Sequence, residues 1–343
     1  MLGGGVFVTQ NKTLPGSYIN FVSLASTTSA FGERGIVAIA LPLNKEAGKV
    51  IELTRADFVS KSSELIGVEY SSTEAAPLRE IFVHANKVYV YDLGESGTVS
   101  EAVAALEAYE FNVICAYTDI VEDINTYITA VKSWRDDMGK KCQVVVYNQS
   151  TPNHEGVINV VSTVSEGDAY ALVAWVAGAE AGCKINESCT NKLYDGEYTV
   201  VTDKTQSQLE DCIKAGQIAF HLVYGDVRML EDINSLTETT VDKGEDFKSN
   251  QTIRVVDQIA NDIAKLFNTK YLGKIPNNAS GRVSLWADIV AHHRELESLQ
   301  AIENFDSSLL TVEQGTTKKS VVVNDVVTVV NAMAQLYMTV VVQ

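Results

Sequence analysis

Val88-Tyr89-Val90-Tyr91, Val113-Ile114-Cys115-Ala116 and Cys142-Gln143-Val144-Val145-Val146-Tyr147 are three short uncharged runs dominated by β-branched and aromatic residues. The segments between them change period. Val99 to Tyr109 places Val103, Leu106 and Tyr109 at helical spacing, and Val121 to Met138 does the same with Ile124, Ile128, Val131 and Trp134. A strand wetted on one side alternates apolar and polar residues, whereas these strands are apolar throughout. Unbroken apolar strands separated by amphipathic helices therefore predict a mostly parallel sheet covered on both faces. Val157 to Val161 extends the pattern as a further strand, and Asp168 to Gly182 as an Ala-rich helix. Gly178 and Gly182, one turn apart on that helix, predict close approach of another element, either a second subunit or a tightly packed core.

Upstream, Gly35 to Pro42 reads as a buried strand closed by proline. Val50 to Leu53 and Phe82-Val83-His84 read as strand pieces, with a helix over 60–65 between them. Downstream, Ile218 to Tyr224 and Val227 to Leu230 flank Gly225-Asp226, a hairpin signal. Helices are predicted over 250–267 and 281–299, and strands over 302–305, 310–313 and 320–330. The chain then ends on Leu336-Tyr337-Met338-Thr339-Val340-Val341-Val342-Gln343, an uncharged strand-like run without Gly or Pro. A terminal strand leaves N–H and C=O groups that must pair or stay wet. Near the start, Val6 to Thr9 and Ser17 to Ser23 are strand candidates separated by Pro15, which suits an edge or an arm. Pattern alone favours two strands of one sheet in a single subunit over strands exchanged between subunits.

At 343 residues two or three domains are expected. The net charge of −17 argues against nucleic acid or an anionic membrane as partner. No apolar run approaches the ~20 residues of a membrane-spanning helix, and no signal peptide is visible, so the chain is expected to be cytosolic when made. Five scattered cysteines lack C-x-x-C spacing. Cys115 and Cys142 read as reduced core residues, and Cys183 with Cys189 lacks the further ligands of a zinc site. His84 reads as a packed histidine and His154 as a solvated one. His292 and His293, adjacent on a helix, are expected in helical ion pairs with Asp288 and Glu297. A serine hydrolase would need a Gly-x-Ser-x-Gly elbow, and a dinucleotide fold Gly-x-Gly-x-x-Gly. Neither occurs, and Asp92-Leu93-Gly94-Glu95-Ser96-Gly97 puts an acid where phosphate would sit. No catalytic, cofactor-binding or metal residues are assigned.

Several tracts resemble contractile tail sheath proteins of phages and phage-tail-like (R-type) bacteriocins, in a compact form. They are Leu14-Pro15-Gly16-Ser17-Tyr18-Ile19-Asn20-Phe21, Trp175 to Gly182, Glu231-Asp232-Ile233-Asn234-Ser235-Leu236-Thr237, Ile253-Arg254-Val255-Val256-Asp257, Tyr271 to Asn278 with Gly281-Arg282, and Met333 with Leu336 to Val342. The resemblance implies an α+β multidomain protein. It has an N-terminal arm (1–23), a small β-rich domain (24–86), an α/β domain of subtilisin-like topology (87–216), a C-terminal α+β sheath domain (217–333) and a C-terminal arm strand (334–343). It further implies a self-assembling, non-enzymatic subunit that polymerises helically around an inner tube and contracts.

The implied partners are other copies of the chain, a tail tube protein, and baseplate and tail terminator proteins. Assembly is expected in the bacterial cytoplasm, before release as a tail or tail-like particle. The implied strand-exchange residues are Tyr18, Ile19, Phe21 and Val22 at one end, and Tyr337, Met338, Thr339, Val340, Val341 and Val342 at the other. A cytosolic α/β enzyme with an appended domain is the competing reading.

Overall fold

The computed structural model describes residues 32–342, so the N-terminal strand candidates, with Tyr18, Ile19, Phe21 and Val22, lie outside the described residues. Strand β1 (Ile36–Leu41), β2 (Val50–Thr54), helix α1 (Arg55–Ile66), α2 (Ala76–Phe82), β3 (Lys87–Asp92), α3 (Val99–Leu106), β4 (Val113–Cys115), α4 (Val121–Asp136), β5 (Gln143–Tyr147), β6 (Val157–Val160), α5 (Leu172–Gly182), α6 (Gln206–Lys214) and β7 (Gln217–Ile218) follow one another. They build a seven-stranded sheet ordered β2-β3-β1-β4-β5-β6-β7. Every pairing is parallel except that of the edge strand β2 with β3.

The alternation along β1 shows why the sheet needs cover on both sides. Val37, Ile39 and Leu41 join one apolar layer with Phe58, Leu78, Ile81 and Trp175 of α1, α2 and α5. Ile36, Ala38 and Ala40 join the opposite layer with Leu106, Ile124 and Trp134 of α3 and α4. The mostly parallel, two-faced sheet matches the prediction.

The described part of the β-rich unit expected over 24–86, residues 32–86, contributes its strands to this same sheet. β1 lies inside the sheet between β3 and β4, and β2 is its edge. Phe82-Val83-His84, expected as strand, is the end of α2 and the turn after it. Pro77 in the first turn and the helix formers Leu78, Arg79 and Glu80 decide that segment. The sheet also runs past residue 216 to include β7.

The C-terminal part comprises the hairpin β8 (Phe220–Val223) and β9 (Asp226–Met229), helix α7 (Asn250–Leu266) with a five-residue π turn after it (Phe267–Tyr271), helix α8 (Ala279–Ser298), and strands β10 (Ile302–Glu303), β11 (Thr311–Gln314), β12 (Val321–Asn324) and β13 (Thr328–Val329). The first hairpin turns on Tyr224-Gly225, both at positive φ, rather than on Gly225-Asp226. The predicted strand over 320–330 breaks at Asp325. Its first half pairs with β11 and its second half with β10. Among the described residues no helix is long and apolar enough to cross a membrane.

The two glycines of α5 mark close packing within the subunit. A Cβ on Gly178 would stand 2.4 Å from the carbonyl oxygen of Ile81, and one on Gly182 would stand 2.3 Å from that of His84. Backbone cannot step aside as a flexible side chain can. Gly178→Ala is expected to destabilise the fold by about 1–3 kcal/mol in chemical denaturation. Gly244→Ala, where a Cβ meets nothing within 4 Å, is the neutral control.

Candidate assembly interface

Helix α7 buries an unusually polar face against the α/β body. Arg254 Nη2 donates to Glu180 Oε2 on α5 at 2.7 Å and to Asp232 Oδ2 at 3.2 Å, while Nη1 donates to the Glu187 carbonyl at 2.8 Å. One turn later the polarity reverses. Asp257 accepts two bonds from Arg135 of α4, at 2.6 and 2.8 Å, and Arg135 also donates to the Cys142 carbonyl. Asn250, Asn261 and Gln258 add bonds to Gln143, Lys141 and Arg34.

Burial pushes the Glu180 carboxyl well above its ordinary range, and the nearby Asp232 pushes it further. Asp232 also pays desolvation, but Arg254 and the donors around it hold it below its usual value. Glu180 Oε1 and Asp232 Oδ1 are buried without a hydrogen-bond partner among the described residues. Nothing in the sequence pattern named Arg254 as a clamp.

Two other tracts singled out in the sequence also act as connectors. Within Asp232 to Thr237, Asn234 donates to the Phe247 carbonyl, Ser235 bonds both backbone groups of His154, and the Thr237 N–H donates to Asn153. In the Gly-Lys-x-x-Asn-Asn tract, Asn278 caps α8 by accepting from the Gly281 N–H. Asn277 donates to the carbonyls of Lys318 and Ser320, which fixes the turn between β11 and β12.

Three of the side chains weighed in the sequence as sites of chemistry, Asp92, His84 and His154, make structural bonds. At the carboxyl end of β3, Asp92 accepts N–H bonds from Leu43, Asn44, Lys45, Glu46 and Gly94 at 2.7–3.1 Å. Burial opposes its ionisation, but these donors hold its pKa below the ordinary range. The donors that would cradle a phosphate are therefore taken by the protein's own carboxylate. His84 packs edge-on against Trp175 and bonds Asp195 at 3.0 Å.

His154 is buried rather than solvated. Its Nδ1 accepts from the Gly156 N–H and its Nε2 faces Asp136. Both ring nitrogens are committed, and Ser235 touches its backbone, so no serine–histidine pair forms there. In place of the expected helical ion pairs, His292 and His293 make longer-range hydrogen bonds, to Asp262 and Asp325. Asp288 instead takes Lys270 and Tyr271, and Glu297 takes Arg294.

Among the described residues, two clusters bring three possible metal ligands within 4.8 Å of one another, Asp136-His154-Glu155 and Glu180-Cys189-Asp232. Each already holds a cation, Lys243 in the first and Arg254 in the second. The five cysteines are buried and unpaired in disulfides.

The C-terminal run is anchored and then left in water. Val330 N–H bonds the Ala301 carbonyl, and Gln251 of α7 bonds both the Val330 carbonyl and the Ala332 N–H. Past Ala332, among the described residues, no hydrogen bond returns to the body. Among the described residues, 331–342 form no strand. Tyr337 is 88% exposed and Val342 89%, with Leu336, Met338, Val340 and Val341 also exposed. Burying such side chains fully is worth roughly 1.5–3 kcal/mol each, so this run is a large unused driving force. The hairpin β11–β12 and the pair β10–β13 are two-stranded sheets whose outer edges are unpaired among the described residues.

Residues 95–235 match the family model for the phage tail sheath protein central domain, and residues 242–343 that for the phage tail sheath C-terminal domain. The tail sheath protein of Clostridium phage phiCD119 is 28% identical over 294 residues, covering 83% of this chain and 81% of that protein. The crystal structure of a sheath tail protein from Desulfitobacterium hafniense aligns with a TM-score of 0.75 at 25% identity, covering 92% of this chain and 100% of that one. The cryo-EM structure of the anti-feeding prophage helical sheath in its contracted state shares the fold. Its TM-score is 0.72 at 15% identity, covering 96% of this chain and 99% of that one.

Removing the α7 clamp leaves two buried carboxyls without their cation. Arg254→Met is expected to cost about 3–5 kcal/mol in urea unfolding. Arg254→Lys is expected to fall between it and the native chain, because an ammonium cannot span three acceptors in a planar fork.

Proposed function

Since the chain belongs to the phage tail sheath protein family, we propose that it polymerises helically around an inner tube and contracts to drive that tube through a target cell envelope. The exposed run over 333–342, anchored at Ala332 and apolar without a partner, carries this reading. Each subunit's Tyr337, Met338, Thr339, Val340, Val341 and Val342, and its Tyr18, Ile19, Phe21 and Val22, add strands to neighbouring copies. The open edges of β11–β12 and β10–β13 are the receivers. A contact from one end of a subunit to a different surface of the next does not close on itself, so it propagates as a helix.

Main-chain bonds between an arm and a neighbour survive rotation of the body that carries the arm. The mesh therefore stays connected while subunits swing between a metastable extended state and a contracted one, with no nucleotide or metal consumed. The seven-stranded sheet takes the place of the subtilisin-like layer of sheath proteins and faces outward. The C-terminal unit lies toward the tube. Tail tube, baseplate and tail terminator proteins are the further partners, and assembly takes place in the bacterial cytoplasm.

Consecutive N–H groups of a strand point to opposite edges, so a double substitution Val340→Pro/Val341→Pro removes one donor from each side. Negative-stain electron microscopy with co-expressed tube protein is expected to show sheathed tubes for the full chain. Soluble, folded, unpolymerised subunits are expected for this variant and for deletions of 1–23 or 334–343. Tubes formed by both deletion variants would overturn strand exchange. Failure of the full chain to assemble on tube would overturn the sheath role.

A further inference from the structure

The joint beside α7 leaves two of its own oxygens unmatched. Arg254 reaches Glu180 through Oε2 and Asp232 through Oδ2. Asp232 Oδ2 also accepts from the Ser188 hydroxyl and the Cys189 N–H. The second oxygen of each carboxyl, Glu180 Oε1 and Asp232 Oδ1, is buried with no hydrogen-bond partner among the described residues. The two carboxyls lie against each other, and both residues are only 2% exposed. Buried carboxylates in contact repel unless a proton or a cation stands between them.

The cluster also contains sulfur. A carboxyl oxygen of Glu180, one of Asp232 and Cys189 Sγ all lie within 4.8 Å of one another. The buried Cys183 thiol is hydrogen-bonded to that of Cys189. Zinc–sulfur bonds of about 2.3 Å put two sulfurs of a tetrahedral site about 3.8 Å apart, which is the spacing of a hydrogen-bonded thiol pair. In the sequence the two cysteines lacked further ligands. The fold supplies them, Glu180 from α5 and Asp232 from 43 residues beyond Cys189.

We propose that Glu180 Oε1, Asp232 Oδ1, Cys183 Sγ and Cys189 Sγ form a structural zinc site, with Arg254 holding the two carboxyl oxygens that do not ligate. Thiolate ligands select zinc over the harder ions that carboxylates alone prefer. Two thiolates and two carboxylates are balanced by a divalent ion together with Arg254 and Arg34, which donates to the Cys183 and Glu180 carbonyls. The ion displaces thiol protons that now make only 3.5 Å bonds, to the Glu187 and Ala179 carbonyls. The bond from Cys189 and the charge of Arg254 lower the Cys183 thiol to about 7 against its burial, so a thiolate is available at neutral pH. The same bond and burial push Cys189 up, so it gives its proton only to the ion. Among the described residues, Asp232 lines a cavity of about 440 Å³ with Ser188, Thr190 and Gln251, which gives the ion a way in. The site would staple the end of α5 and the turn after it to the tract that opens the C-terminal unit.

The test is zinc content and cobalt spectroscopy on the full chain, kept reduced. After incubation with zinc chloride and desalting, one equivalent of zinc is expected by plasma mass spectrometry. Cobalt in its place should show thiolate-to-metal charge transfer and the intense visible bands of a tetrahedral site. Cys183→Ala/Cys189→Ala leaves the Arg254 bonds in place and should bind zinc about a hundredfold more weakly or worse. Cys212→Ala, on α6, should bind as the native chain does.

A native chain without zinc would overturn the proposal, and a proton would then stand between the carboxyls. A cobalt spectrum without charge transfer would also overturn it, and this readout needs no variant to fold. Unchanged zinc affinity in the double-cysteine variant would do the same, because the ion would then sit elsewhere, for example at Asp136-His154-Glu155.

Discussion

The rest of the molecule depends on α7 being held to the α/β body by charge rather than by grease. Its buried face carries Arg254, Asp257, Gln258 and Asp262. On adjacent turns it offers a cation to Glu180 and Asp232, then an anion to Arg135. Buried ion pairs contribute little net stability compared with apolar packing, but a displaced one leaves an uncompensated charge in a medium of low dielectric. Such a joint tolerates one geometry and penalises all others. Apolar faces alone would let α7 slide along α5 with little change in energy. The reversal of polarity within one turn forbids that slide, because each half-step brings like charges together.

A joint of this kind suits the proposed role of a subunit that moves within a polymer. If the arms are to hold neighbours while the body swings, the body itself must not yield. The C-terminal unit, which carries the exposed run, is locked to the sheet through α7 and through the 232–237 tract, while Asn277 fixes its own β11–β12 turn. Among the described residues, the segment past Ala332 has no such bonds to the body. Rigidity and an unsatisfied strand sit side by side along the chain, and the boundary between them is marked by Gln251 holding Ala332.

Much of the sheet was legible in the sequence because its strands are apolar on both faces, and that property is local. The place of β1 was not. Order in a parallel sheet is set by which way each helix crosses over, which no residue of β1 records, so a central strand was assigned to a separate unit. The clamps were hidden for the same reason. Arg254 finds Glu180 at a separation of 74 residues, and His292 finds Asp262 at 30. Neighbours in sequence pointed instead to Asp288 and Glu297. His154 sits in a polar stretch and so read as solvated, yet the loop folds under Ser235 and Asp136 closes over its ring. The terminal run read as a strand, and among the described residues it pairs in none. Its composition states a need for pairing that no other described residue meets.

Hydrogen exchange followed by mass spectrometry on the monomer and on the assembled tube tests this account most directly. The account predicts that amides over 253–262 are strongly protected in both states. Amides over 333–342 should exchange as in an unstructured peptide in the monomer and become protected on assembly. Protection of 333–342 in the monomer, or its absence in the tube, would contradict the claim that a neighbouring subunit completes this strand.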